Sequence, residues 1–126
     1  KKVGEVYKES LVSLDTENKN KIIDTVILAS VLEGEAKTKE DMKMVSGILL
    51  KRLSIGMPLQ VDVALETYKI KGLPKLPINN PGLVAIEAAL NPIESEYLYY
   101  ITGKDGKMYY AKTFTEHKKN IQKYLK

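Results

Sequence analysis

The stretch LASVLEGEAKTKED, residues 28–41, decides the fold, because it takes the chain from one predicted helix into the next. Its apolar run ends at Glu33, and Glu35 follows two residues later. The segment TKED, residues 38–41, matches a capping box, in which the threonine hydroxyl accepts from the backbone amide of the aspartate and the carboxylate reaches back. Two helices joined by a tight corner are therefore expected, with both glutamates at the corner.

Hydrophobic spacing predicts the extent of the two helices. The first is expected over residues 21–35, after a polar connector at 15–20, with one wide apolar stripe turned inward. The second is expected to run to about Ser54, where Gly56 can end it and Pro58 prevents it from resuming. The predicted inward residues are Ile23, Val26, Ile27, Ser30 and Val31 in the first helix, and Met42, Val45, Ile48, Leu49 and Leu53 in the second.

The second half of the chain predicts a helix, a hairpin and a closing helix. The Asn-Pro pair at 80–81 is expected to start a helix that runs to about Leu90. Two alternating tyrosine-rich strands then flank the Asp-Gly pair at 105–106, which favours a type I′ turn. A threonine, Thr113 or Thr115, is expected to cap the last helix. This order predicts an α+β fold, with helices packed around a small antiparallel β-hairpin.

Composition narrows the possible functions. The chain of 126 residues is long enough for one domain with a core, and it begins at Lys1, so we expect a piece of a longer protein. It has no cysteine and a single histidine, His117, which argues against a metal site and against thiol catalysis. The net charge of +4 is spread along the chain and does not interleave with aromatic residues, so nucleic acid is not an expected partner.

Glu33 is the strongest candidate for chemistry. It lies seven residues after Val26 and three after Ser30, so we expect it on the inner or bordering face of its helix. Loss of water there would favour the protonated carboxyl, which could then act as a general acid on a glycosidic oxygen. The alternative is a helix-end glutamate paired with Arg52 or a lysine, which on spacing alone is the commoner arrangement.

Other acidic and polar residues could take part. Glu35, Glu40 and Asp41 could supply a second carboxylate, although a solvated cluster is the favoured interpretation. Gln60 and Asp62 are expected on one side of a short extended piece, where they could bind a sugar, orient a carboxyl or face solvent. No nucleophile-elbow or glycine-rich phosphate-binding pattern is present.

Taken in order, six stretches resemble the catalytic domain of the endolytic murein transglycosylases, the MltG (YceG-like) family. They are LASVLEGEA (28–36), KRLSIGMPLQVD (51–62), TYKIKGLP (67–74), INNPGLVAIEAALNP (78–92), EYLYYI (96–101) and YAKTFTEH (110–117). The resemblance implies that residues 1–126 are a single YceG-like catalytic domain with a lysozyme-like active-site helix. Residues 1–20 would then be a connecting segment from a missing N-terminal region.

The resemblance also implies an activity and its residues. Family members cut peptidoglycan glycan strands internally, between N-acetylmuramic acid (MurNAc) and N-acetylglucosamine (GlcNAc), and leave 1,6-anhydroMurNAc ends without a cofactor or metal. The catalytic acid/base of the family matches Glu33. The groove around it matches Gln60, Asp62, Thr67, Tyr68 and Asn80.

Partners and location follow from the same resemblance. The implied partners are peptidoglycan glycan strands, with peptidoglycan synthases as a further candidate. Family members carry an N-terminal membrane anchor and a small LysM-like region before this domain. The implied location, the extracytoplasmic face of the bacterial cytoplasmic membrane, would depend on that anchor, which is absent from this chain.

The chain departs from the family pattern after Asp62. Family members commonly have a longer segment that ends in NTY, whereas the segment here is short and has Glu66 in the asparagine position. Met108 falls where a histidine is frequent. Two alternatives therefore stay open: a catalytically weakened peptidoglycan-binding or scaffolding module, and a muramidase-type hydrolase that uses Asp62 or Glu40 as its second carboxyl.

Overall fold

The computed structural model describes residues 16–61, 68, 72–77 and 80–125. Over these residues the chain forms four helices and a two-stranded antiparallel sheet, which confirms the predicted α+β class. The elements are α1 (Thr16–Glu35), α2 (Lys39–Ser54), α3 (Leu83–Leu90), β1 (Tyr99–Thr102), β2 (Met108–Ala111) and α4 (Phe114–Tyr124). None of these helices combines the length and the apolar character needed to cross a membrane.

Helix α1 is longer than its sequence pattern predicts. It begins at Thr16, so the connector predicted over 15–20 is wrong from Thr16 onward. That stretch holds no glycine or proline, and it extends a helix whose second half is fixed by packing. Residues 27–32 are all buried, whereas Ile23 is 51% exposed and was wrongly predicted to face inward. Among the α1 side chains that the structure describes, those of residues 21–35, the core therefore takes up the continuous run 27–32.

The corner between α1 and α2 follows half of the predicted capping box. Thr38 caps α2, and its hydroxyl accepts a hydrogen bond from the backbone amide of Asp41 at 3.1 Å. The Asp41 carboxylate does not complete the box, because it accepts a hydrogen bond from the Tyr110 hydroxyl at 2.7 Å. The predicted solvated acidic cluster is therefore wrong for Asp41.

Helix α2 matches its prediction closely. It ends at Ser54, and Gly56 follows with a φ of 72°, the left-handed conformation that glycine adopts most easily. Of the five residues predicted to face inward, four are buried and Leu53 is partly buried. The buried four are Met42, Val45, Ile48 and Leu49.

Helix α3 packs against both α1 and α2 through small residues. Ala85, Ala88 and Ala89 are buried in that contact. The helix begins at Leu83 with Gly82 as its N-cap, so the prediction that Pro81 starts the helix is wrong. Gly82 has an extended backbone, with φ −74° and ψ 171°, and helical geometry is reached only after it.

The hairpin and α4 form the other side of the molecule. Tyr100 in β1 lies opposite Tyr110 in β2. The loop at 103–107 has Gly106 at φ 82°, but Asp105 does not have a positive φ, so the predicted type I′ turn is wrong. The Asp105 carboxylate accepts from the amide of Lys107 and holds a longer loop instead. The predicted cap of α4 by Thr113 is confirmed, since its hydroxyl accepts from the amide of residue 116 at 3.2 Å.

Candidate active site

Glu33 lies in the last turn of α1 and is exposed. Its Oε1 atom accepts a hydrogen bond from the backbone amide of Gly82 at 2.7 Å. The expectation that apolar neighbours dry this carboxyl is wrong, because the buried run of α1 ends one residue earlier, at Leu32. Glu33 therefore stands at the mouth of a surface pocket, held by the start of α3.

Arg52 is not the partner of Glu33. It is only 4% exposed, and its guanidinium donates to the backbone carbonyls of Leu98, at 2.9 Å, and Leu59. Its guanidinium carbon also lies 5.7 Å from the centre of the Tyr100 ring. Burial lowers the pKa of Arg52 from its ordinary value, while neighbouring tyrosines and a carboxylate oppose the change. Arg52 therefore joins α2 to the segments before the hairpin and after α2.

Glu35 has a different environment from Glu33. It is half-buried, and its carboxylate accepts a hydrogen bond from the Tyr100 hydroxyl at 2.6 Å. Burial, followed by the nearby Glu35 carboxylate, raises the pKa of Tyr100 well above its ordinary value, so the hydroxyl keeps its proton. The predicted solvated cluster is therefore wrong for Glu35 as well.

Tyr110 makes the matching contact one strand away. Its hydroxyl donates to Asp41, and burial, followed by this bond, raises the pKa of Tyr110. Because Tyr100 and Tyr110 lie opposite each other, the two hydroxyls reach two carboxylates on either side of the corner. We call these two bonds the tyrosine contacts; they attach the hairpin to the corner that carries Glu33.

Two adjoining pockets extend from this corner. The first, of about 420 Å³, is lined by Glu33 together with Glu35, Asp41, Thr102 and Met108. The second, of about 440 Å³, is lined by aromatic and polar side chains and shares Glu35 and Thr102 with the first. Its further lining includes Arg52, Gln60, Tyr68, Tyr99, Phe114 and His117. Glu35 and Thr102 thus border both pockets, and we call the two pockets together the groove.

The other predicted site residues fall in different places. Gln60 and Tyr68, which is 47% exposed, line the second pocket rather than the one that holds Glu33. Gln60 has a φ of 54°, so the extended conformation predicted there is wrong at this residue. Asn80 is exposed, two residues before Gly82, and lines neither pocket. Asp62 and Thr67 lie outside the described residues.

His117 contributes to the second pocket without an evident acid–base partner. Its ring stacks on Tyr99 with a centroid distance of 5.0 Å. Its Nδ1 atom is buried and has no hydrogen-bond partner in the described part of the chain. Burial, followed by the charge of Arg52, lowers the pKa of His117. In the same part of the chain, no three histidine, aspartate or glutamate side chains gather as metal ligands would.

Three residues in or beside the two pockets were missed by sequence reasoning. Gly82 holds Glu33, and its signal was the NPG sequence that precedes α3. Phe114, 56% exposed at the start of α4, lines the second pocket, and nothing in the sequence separated it from a core residue. Thr102 lines both pockets and donates to the Met108 sulfur at 3.0 Å. Glu40, a predicted alternative carboxyl, is exposed and lines neither pocket.

The chain is similar to proteins that are already known. The family model described as the YceG-like family matches residues 1–66 and 64–123. An endolytic murein transglycosylase of Bacillus subtilis (strain 168) is 31% identical over 141 residues, which cover 94% of this chain and 39% of the relative. The protein of that name from Streptococcus pneumoniae (strain ATCC BAA-255 / R6) is 30% identical, and the match covers 92% of this chain and 26% of the relative.

A solved structure is similar as well. A YceG-like protein from Listeria monocytogenes aligns with a TM-score of 0.77 and 33% identity, covering 91% of this chain and 44% of that one. This chain thus spans less than half the length of these relatives. The B. subtilis alignment, at 141 residues, is longer than the 126 residues here, so that relative has residues without a counterpart in this chain. The two segments of the family match meet at 64–66, which agrees with a shorter segment after Asp62.

Proposed function

Because the chain belongs to the YceG-like family, we propose that it is an endolytic lytic transglycosylase of peptidoglycan, with Glu33 as its general acid/base. It would cleave the bond between MurNAc and GlcNAc and leave 1,6-anhydroMurNAc ends. The observation that carries the proposal is the position of Glu33, which is held by Gly82 and lines one of two pockets that share Glu35 and Thr102. Relatives named endolytic murein transglycosylase support the reaction class.

The proposed reaction uses Glu33 twice. The protonated carboxyl donates to the glycosidic oxygen, and the bond from that oxygen to the anomeric carbon of MurNAc breaks. The carboxylate then accepts the proton of the 6-hydroxyl of the same sugar, whose oxygen attacks the anomeric carbon and closes the anhydro ring. One carboxyl is enough because the nucleophile belongs to the substrate and is present at high effective molarity.

Because Glu33 is exposed, we propose that the bound glycan completes the surroundings of its carboxyl. Apolar neighbours do not cover the carboxyl, so the bound strand itself would exclude water from it. The second pocket offers exposed Tyr68 and Phe114 and the polar Gln60 to sugar rings further along the strand. We propose that Asp62, Thr67 and Asn80 contact the strand as well.

A muramidase-type hydrolase is the second candidate function. Glu35 favours it, because this carboxylate lines the same pocket as Glu33. Hydrolysis would need such a second carboxyl to activate water or to attack the sugar, and it would yield reducing ends instead of anhydro ends. The Tyr100 hydroxyl bound to Glu35 favours a positioning role for that carboxylate, so we rank hydrolysis second.

The proposed setting is the bacterial cell wall. The substrate and principal partner would be glycan strands of peptidoglycan, and peptidoglycan synthases would be further partners. The reaction would take place at the extracytoplasmic face of the cytoplasmic membrane, where this polymer lies. We propose that residues 1–126 act there as one YceG-like catalytic domain.

Digestion of purified sacculi tests the proposal. The wild-type protein should release fragments with 1,6-anhydroMurNAc ends, and Glu33→Gln should lower the rate by about 10²–10⁴-fold while keeping the fold. Glu94→Gln is the matched control, because Glu94 is exposed and lies outside both groove pockets. Mass spectrometry of the products distinguishes anhydro from reducing ends.

The same assay separates a weakened binding module from an enzyme. A module would sediment with sacculi, release no fragments, and bind equally well after Glu33→Gln. Anhydro ends formed at the wild-type rate by Glu33→Gln would contradict the assignment of Glu33.

A further inference from the structure

We infer that Gly82 is a positioning residue for Glu33. Its backbone amide orients the carboxyl, and the absence of a side chain at Gly82 leaves room for that carboxyl. The inference rests on the proposed role of Glu33 and adds a second residue to the machinery. The contact joins residues 49 positions apart, the last turn of α1 and the N-cap of α3. Gly82 would act through Glu33 and not on the glycan.

The amide of Gly82 is available for this purpose because α3 does not use it. The first backbone bond of α3 runs from the amide of Ile86 to the carbonyl of Gly82 at 3.1 Å. The helix therefore uses the carbonyl of Gly82 and leaves its backbone N–H without a partner within the helix. That donor meets Glu33 Oε1 at 2.7 Å. This contact is strongest when Glu33 is a carboxylate, the form that accepts the 6-hydroxyl proton in the proposed reaction, and the positive end of α3 adds to the attraction.

An exposed glutamate needs such a bond if it is to act as a catalyst. Glu33 projects from α1 into a pocket open to solvent, where its long side chain has several rotamers. The bond holds Oε1 and so restricts the position of the whole carboxyl group, which both proposed proton transfers would use. Misplacement of a reacting group by about 1 Å can cost about 10²-fold in rate.

The absence of a side chain at Gly82 is explained by Glu33 and not by the backbone. The φ of −74° and ψ of 171° are open to every residue type. A Cβ atom at Gly82 would lie 3.1 Å from Glu33 Oε1, which is tighter than an ordinary contact. A side chain here would therefore push the carboxyl by a few tenths of an ångström, although the local fold would tolerate it.

Two substitutions test the contact. Gly82→Ala keeps the N–H and adds only the Cβ atom. Gly82→Pro adds a comparable Cβ atom and replaces the amide hydrogen by the ring Cδ atom, so it removes the donor and also crowds the carboxyl that the hydrogen meets. The φ of −74° lies within the range of proline. At saturating sacculi we expect Gly82→Ala to lose a few-fold in the rate of anhydro-end release.

Gly82→Pro should lose at least about ten-fold more than Gly82→Ala in that rate. Binding to sacculi should stay within about two-fold for both variants, because the contact orients an acid and does not hold the strand. Equal rates for the alanine and proline variants, or a loss in binding that accounts for the loss in rate, would overturn the inference.

A spectroscopic measurement tests the contact without turnover. An amide proton bound to a carboxylate resonates downfield, so Glu33→Gln should move the Gly82 amide resonance upfield, and the control Glu94→Gln should leave it in place. An unmoved Gly82 resonance would overturn the inference even if a Gly82 variant failed to fold. If Glu33→Gln releases anhydro ends at the wild-type rate, the proposed function fails. If Glu33→Gln is slow but Gly82→Ala and Gly82→Pro have equal rates, only the inference about Gly82 fails.

Discussion

Tyr100 donates its hydroxyl to Glu35 at 2.6 Å, across 65 positions of sequence. The bond brings the first strand of the hairpin to the end of α1, two residues beyond Glu33. Its counterpart, from Tyr110 to Asp41, brings the second strand to the first turn of α2. The pocket that holds Glu33 therefore has walls from both helices and from the hairpin, and their spacing is set by hydrogen bonds as well as by packing.

Tyr100→Phe should destabilise the fold by about 1–2 kcal/mol, because it leaves the half-buried Glu35 carboxylate without this donor. The phenyl ring keeps its place beside Arg52, so little packing is lost. Denaturant unfolding measures the change. Phe114→Leu, which alters an exposed ring, is the matched control. Equal unfolding free energies for Tyr100→Phe and the wild type would show that the bond adds nothing to stability.

Alkaline pH should weaken the fold through both tyrosine contacts. The folded state raises the pKa of Tyr100 and of Tyr110, so it keeps two protons that the unfolded chain releases. The stabilisation is fully present below about pH 10, the ordinary tyrosine value, and falls as the pH rises above it. Tyr100→Phe combined with Tyr110→Phe should flatten this fall in unfolding midpoints measured from about pH 9 to pH 11. A double variant as sensitive as the wild type would contradict this origin of the pH dependence.

The backbone and the side chain of Asp41 should have separable effects. Thr38→Ala removes the acceptor for the Asp41 amide and should cost about 1 kcal/mol. Asp41→Asn keeps the capped amide and weakens only the bond from Tyr110. In a Tyr110→Phe background the effect of Asp41→Asn should shrink, while that of Thr38→Ala should not. Thermal unfolding of the single and double variants checks this. If Tyr110→Phe changed the effects of Asp41→Asn and Thr38→Ala equally, the prediction would be refuted.

Phe114→Ala should weaken glycan binding without slowing the chemical step. Phe114 is 56% exposed and lines the second pocket, away from Glu33, so its loss should cost little stability. We expect the amount of sacculi at half-maximal rate to rise about five-fold, equivalent to roughly 1 kcal/mol, while the maximal rate stays within two-fold. Lys119→Ala, an exposed residue further along α4, controls for surface changes on this helix. A lower maximal rate with unchanged half-saturation would show that Phe114 affects the chemical step and not glycan binding.

Local features of the fold could be predicted from the sequence. The limits of α2, its cap at Thr38 and the cap of α4 at Thr113 follow from residues within three or four positions of each other. Such contacts form wherever the helix forms, so a sequence pattern is enough to place them. The position of Glu33 at the end of α1 was predictable for the same reason.

The environments of the two glutamates could not be predicted in this way. Helical spacing placed Glu33 on the inner or bordering face, but which side of the end of α1 is covered depends on α3 and the hairpin. Glu33 meets a backbone amide 49 positions away, and Glu35 meets a hydroxyl 65 positions away. The periodic spacing of apolar residues in a helix or strand does not indicate which contacts form over such separations.

The two tyrosine contacts also limit how the groove can widen. For the hairpin to swing away from the corner, the bonds of Tyr100 to Glu35 and of Tyr110 to Asp41 would have to break together. Opening on the hairpin side therefore costs both hydrogen bonds. For the proposed substrate, the reach of these two phenol side chains would help to set the thickness of strand, and the size of any sugar substituent, that can enter.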